Sequence, residues 1–137
     1  MEVITQRKTP NLYMRTFVIP IYSSKVCFIR FKNRKGWDEA MKYIESLGVL
    51  TDELNTEEWM FAYGFCTKEK TNQGFIHFLF INAAKEYSEE YTNTLSHECY
   101  HLVEHISTHH GLKHEEGEAN EPQVYLTGYL YDYLSKI

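Results

Sequence analysis

Three features of this 137-residue sequence predict an α+β fold, a small mostly antiparallel sheet packed against a long helix and a C-terminal helix. Short runs rich in Val, Ile, Phe and Tyr alternate with turn residues through the first third. Two apolar runs then flank the polar KEKTNQ. Last comes an uninterrupted helical stretch and an apolar tail that opens near Pro122.

The segment from about Thr16 to Phe31, interrupted at Ser23-Ser24, reads as two short strands joined by a turn. In WDEAMKYIESL, Trp37, Met41, Ile44 and Leu47 recur at three- and four-residue spacing and Gly48 follows, which predicts an amphipathic helix with a glycine stop. TDELNTEE, 51 to 58, is a loop or a single helical turn. WMFAYGFCT and GFIHFLFIN, on either side of Asn72-Gln73-Gly74, predict an antiparallel hairpin over about 59 to 82. From Lys85 to about His110 there is neither Gly nor Pro, and Glu86, Glu89 and Glu90 favour a helix start there. Gly111 ends this helix. After the polar GLKHEEGEAN, Pro122 is tolerated in the first turn of a terminal helix that continues as VYLTGYLYDYL.

The length fits one domain over 1–137, and 43% hydrophobic, 24% charged and 15% aromatic residues with three prolines describe a folded rather than a disordered chain. A net charge of −5 gives no general attraction to phosphate backbones, so no nucleic-acid partner is expected. Lys25, Arg30, Lys32, Arg34 and Lys35 alternate with Phe28, Ile29 and Phe31, the pattern of a strand's solvated face. Cys27, Cys66 and Cys99 show no CxxC spacing, so neither disulfides nor a cysteine zinc ribbon is expected. With no signal-peptide core and no apolar run of membrane-spanning length, the sequence reads as cytoplasmic and not membrane-bound. It leaves the oligomeric state open.

His97-Glu98-Cys99-Tyr100-His101 is an HExxH motif. On a helix its imidazoles stand one turn apart on one face, where they can share a Zn²⁺ ion, and Glu98 projects beside them as a general base. Shuffling this composition yields the motif by chance in about 4% of chains, so context has to carry the assignment. Leu95, Cys99, Leu102, Val103 and Ile106 gather on the opposite side of the helix, which puts the core there and makes Cys99 a packing residue. The apolar strand at about 74–82 is expected to offer a sheet edge to which an extended peptide or protein substrate adds. A carboxylate follows the helix in GEANEPQVYL: Glu121, with Glu118 as competitor for the third ligand position. Tyr125 and Tyr129 share a helix face with Glu121, so either hydroxyl is available to a ligand histidine or an oxyanion, although Tyr129 fits core packing better. His105 continues the i, i+4 row, but three such ligands splay along a straight helix. His77 is structural or substrate-facing. His109, His110 and His114 read as surface residues near the helix end, one of them a possible oxyanion donor.

HECYH followed by a turn and NEPQVYLTGYL resembles the gluzincin branch of the zincin-like metallopeptidases. The size is similar to minimal gluzincins and to small zincin-like proteins of phages and mobile elements, in which HExxH is followed by E-x-x-x-Y-L, here Glu121 to Leu126. The resemblance spans about 74–134 and only HExxH is specific. It implies a zincin-like fold, Zn²⁺ held by His97, His101 and Glu121, and peptide hydrolysis by a zinc-activated water with Glu98 as base. For a phage-encoded protein it implies the host cytoplasm. The chain departs from the thermolysin-like pattern in having Tyr125 where those enzymes carry an acidic residue. The metzincin pattern fails because Glu104 and Ser107 replace its Gly and His. Two other readings stand beside the peptidase: a catalytically silent zincin-fold module that binds zinc for regulation or interaction, and a helical interaction protein whose histidines bind nothing.

Overall fold

The computed structural model describes residues 1–20, 22–85, 88–111 and 121–137, and the side chains of 85, 88–90 and 121 lie outside that description. Among the described residues there are five strands and four α-helices: β1 (Glu2–Thr9), β2 (Leu12–Ile19), β3 (Ser24–Phe31), α1 (Arg34–Ser46), α2 (Glu57–Phe61), β4 (Gly64–Thr71), β5 (Gly74–Asn82), α3 (Ser88–His109) and α4 (Glu121–Ser135). The strands form one sheet in the order β1-β2-β3-β5-β4, antiparallel except where β3 and β5 pair in parallel. This is the α+β architecture the patterning predicts.

Alternation along the strands sends side chains to two separate cores. Leu12, Met14, Cys27, Ile29, Phe31, Ile76, Phe78 and Phe80 face α1, where Trp37, Ala40, Met41 and Ile44 meet them. On the other face Phe17, Ile19, Val26, Phe28, Leu79 and Ile81 pack under α3 through Leu95, Cys99, Leu102, Val103 and Ile106. Leu126, Leu130 and Leu134, one row of α4, complete that second layer. Asn33 caps α1, its Oδ1 accepting from the Gly36 N–H at 2.9 Å.

Several boundaries differ from the sequence expectation. β1, within the first fifteen residues that carry no strand signal, is exposed along nearly its whole length. Its own burial pattern could not announce it, because it is held by pairing to β2. Trp59–Phe61 belong to α2 and not to the hairpin, since Thr56 accepts from the Trp59 N–H and Glu57 and Glu58 occupy the first turn. β3 has no solvated face: it is a central strand covered on both sides. Arg30 is accommodated by stacking 5.3 Å over the Tyr13 ring.

α4 runs antiparallel to α3. Arg30 Nη1 donates to both Tyr91 Oη (3.4 Å) and the Ile137 carbonyl (3.2 Å), tying the end of α4 to the start of α3. At the other end Tyr22 stacks 5.3 Å from His110 and shares a groove with Pro122. Among the described residues no helix is long and apolar enough to cross a membrane.

Candidate metal centre

The HExxH residues lie near the middle of α3, on its side toward the edge strand β4. Because i and i+4 side chains stack along a helix, His97 and His101 meet, and their Nε2 atoms are 3.0 Å apart. Two nitrogens at that separation, each about 2.05 Å from one ion, subtend roughly 94°, within about 15° of the tetrahedral angle zinc prefers. The pair therefore fits a shared Zn²⁺. His97 is two-thirds exposed and His101 less so, which leaves the outer side open to a substrate.

Glu104, one turn beyond His101, was missed as a functional residue by the sequence reading. His101 Nδ1 lies 3.1 Å from Glu104 Oε1. An Nδ1–H donated to this carboxylate fixes the tautomer and turns the Nε2 lone pair outward, the usual support for a metal-binding imidazole. The i, i+3 spacing of a carboxylate after the second histidine was the available signal.

Glu98 is buried beneath the pair, with Oε1 4.0 Å from His97 Nε2. Cys66 of β4 donates its thiol toward the Glu98 carbonyl (3.3 Å) and toward Oε2 (3.5 Å). Burial raises the Glu98 carboxyl above its ordinary value, opposed by the Cys66 hydrogen bond and by the two histidines. A carboxyl moved toward neutrality in this way suits proton transfer. Burial also pushes the Cys99 thiol up to about 12, consistent with its place in the core. Gly64 was likewise unnoticed in the sequence: a Cβ there would stand 2.8 Å from the Phe80 carbonyl oxygen and 3.0 Å from both Glu98 Cγ and Thr94 Cγ2. Its missing side chain lets β4 close on α3 at the base. A cavity of about 310 Å³ opens here, lined by Trp59, Gly64, Phe65, Cys66, Glu98, His101 and His105.

His97, Glu98 and His101 are thus brought together, and other expected site residues are not. Tyr125 and Tyr129 are exposed and line a different groove, with Ile19, Pro20, Tyr22 and Pro122. The reason is the rotation of α4: its Leu126, Leu130, Leu134 row turns inward and carries the tyrosines to the outside. Tyr129 is therefore not a core residue, and Tyr125 is not beside the histidines. Glu118 and His114 lie outside the described residues, as does the Glu121 side chain. The backbone of Glu121 opens α4, whose first turn lines the groove with Tyr22 through Pro122. Among the described residues no group of three His, Cys, Asp or Glu side chains is arranged to hold a metal. His105 lines the same cavity with its Nδ1 unpartnered among the described residues, and burial lowers its pKa.

The expected substrate edge also requires correction. β5 (74–82) is flanked by β3 and β4, so its backbone is already paired on both sides and accepts no further strand. β4 is the edge. The Asn82 N–H donates to the Tyr63 carbonyl at 2.9 Å in a register that pairs Gly64 with Ile81. Odd-numbered positions of β4 therefore bond to β5, and Gly64, Cys66 and Lys68 turn their N–H and C=O groups outward.

No protein-family model, no curated protein and no solved structure matches this chain.

Proposed function

We propose that the chain is a zinc-dependent metallopeptidase in which His97 and His101 hold the ion and Glu98 is the general base. One observation carries the reading: two imidazole nitrogens 3.0 Å apart, with a buried carboxylate 4.0 Å from one of them and no ion pair to a Lys or Arg among the described residues to keep it permanently charged. Zn²⁺, when bound, supplies a Lewis acid that polarises a peptide carbonyl and acidifies a water. Glu98 accepts the proton of the attacking water and returns it to the leaving amine, a role its partial burial favours. Glu104 holds His101 in its ligating tautomer. The outward backbone groups of Gly64, Cys66 and Lys68 suit an extended peptide running along β4 past the histidines, since strand addition needs an unpaired edge.

A second reading, a zinc-binding module without turnover, is favoured by one specific finding: among the described residues no third His, Cys, Asp or Glu joins the histidine pair, whereas catalytic zinc takes three protein ligands. The experiment separating the two is zinc stoichiometry together with hydrolysis of a mixed peptide library by wild type and Glu98→Gln, with and without chelator. The peptidase requires chelator-sensitive cleavage that falls by about 10²- to 10⁴-fold in Glu98→Gln while zinc content stays constant. Zinc-loaded wild type that cleaves nothing selects the silent module, and metal-free protein from zinc-replete cells overturns both.

A further inference from the structure

A second polar pocket lies at the far end of α3, separate from the metal pair. Its volume is about 250 Å³, and it is lined by Ser24 and Lys25 from β3, Phe75 and His77 from β5, and His109 and His110 at the end of α3 and just beyond, among others. His77 is 2% exposed, yet its Nδ1 has no hydrogen-bond partner among the described residues. An unmade hydrogen bond on a buried imidazole costs about 1–3 kcal/mol, so its retention in a residue of the pocket lining calls for a ligand.

The surroundings indicate the sign of that ligand. Among the described residues no carboxylate lines the pocket. Lys25 stands at its wall with Nζ 3.1 Å from the Gln73 carbonyl. Lys68 Nζ lies 3.4 Å from His109 Nδ1, and its donated N–H leaves the proton of a neutral His109 on Nε2. His110 Nε2 is 3.0 Å from Ser24 Oγ. Burial first, and then the neighbours His109, His105, Lys68 and His110, pull the His77 imidazole down to about 4, so it offers an anion a neutral ring, and the ammonium groups of Lys25 and Lys68 supply the positive charge. The C-terminal end of α3 opposes this with about half a negative charge, less than two ammonium groups contribute. Three of His, Cys, Asp and Glu are not arranged there as metal ligands among the described residues.

We infer that the pocket between the β3 and β5 strand starts and the end of α3 binds a small oxyanion of the phosphate class, held by Lys25, the hydroxyl of Ser24 and the imidazoles of His77 and His110. The inference is independent of zinc. The full chain is titrated with inorganic phosphate, and in a parallel arm with ethyl phosphate, while side-chain ¹⁵N signals of the histidines are followed by NMR. A saturable shift, largest at His77 Nδ1, is expected. It should be weakened about tenfold or more in Lys25→Gln and in His110→Gln, since each loses a charge-assisted or polar contact, and unchanged in the surface control Lys136→Gln. Tighter binding of the ester identifies a phosphomonoester as the ligand, and tighter binding of the free ion identifies phosphate itself. Absence of a saturable His77 shift in either arm overturns the inference, as does a shift that Lys25→Gln and His110→Gln leave intact.

Discussion

The backbone of Gly64 approaches α3 so closely that a Cβ on it would stand 3.0 Å from Glu98 Cγ. Strand and helix are in register at the one carboxylate on which the proposed chemistry depends. Gly64→Ala must push either the Phe80 carbonyl or the Glu98 side chain aside. A destabilisation of about 1–3 kcal/mol in urea unfolding is expected. Zinc content should be retained, because the atoms nearest that Cβ belong to Phe80, Glu98 and Thr94 and not to the histidines, while cleavage falls. A variant as stable and as active as wild type would show that β4 yields at no cost.

Glu104 orients His101 through a 3.1 Å contact and contributes nothing else to the cavity. Carboxylates in this position are worth roughly ten- to a hundredfold in metal affinity. Glu104→Ala should lower zinc affinity by that order in competition with a chromophoric chelator, with the circular-dichroism spectrum unchanged. Glu104→Gln should recover part of the loss, since an amide oxygen still accepts the Nδ1–H.

For the third ligand, the antiparallel packing of α4 on α3 sets the expectation. Glu121→Ala should leave zinc affinity within about twofold of wild type, because its helix begins beside Tyr22, in a groove that neither histidine of the pair lines. His97→Ala and His101→Ala should each abolish binding, since a single imidazole of the pair then remains. A loss in Glu121→Ala comparable to that in His101→Ala would restore the gluzincin ligand set.

His77 makes the fold sensitive to mild acid. Its folded pKa is about 4 against an ordinary 6.5, so between these values the unfolded chain binds the proton and the folded chain does not. Stability is therefore fully present above about pH 6.5 and is lost as pH falls toward 4, by up to about 3 kcal/mol. Urea midpoints at pH 7.5, 5.5 and 4.5 measure this slope. His77→Phe should flatten it, and a slope identical in wild type and variant would assign it to other groups.

Much of this was legible in the sequence where the signal is local. The 3.6-residue period of α3 placed Cys99 in the core and His97 with His101 on the other face, and both hold because a helix fixes its own geometry. Asn72-Gln73-Gly74 marked the β4–β5 turn for the same reason. What failed was set by distant partners. Apolar composition alone does not tell that β5 is central rather than an edge, since that depends on β3 pairing with it in parallel. Tyr125 shares a helix face with Glu121 as read, but which way that face turns is decided by the leucine row that meets the sheet. Gly64 carries no sequence signal, because its importance lies in the helix that passes over it.

The parallel β3–β5 ladder has a consequence for how the protein comes to be. It joins residues such as Cys27 and Phe78, about fifty positions apart along the chain, whereas every other strand pair is a hairpin between neighbours. Contacts that span so much chain form late and slowly, because the intervening loop must be closed first. The two histidines sit one turn apart and can meet as soon as their helix coils, but the roof over Glu98 comes from β4 and awaits the ladder. The histidine pair should thus form first, on the nascent helix, and the sheet that encloses Glu98 should dock on it later.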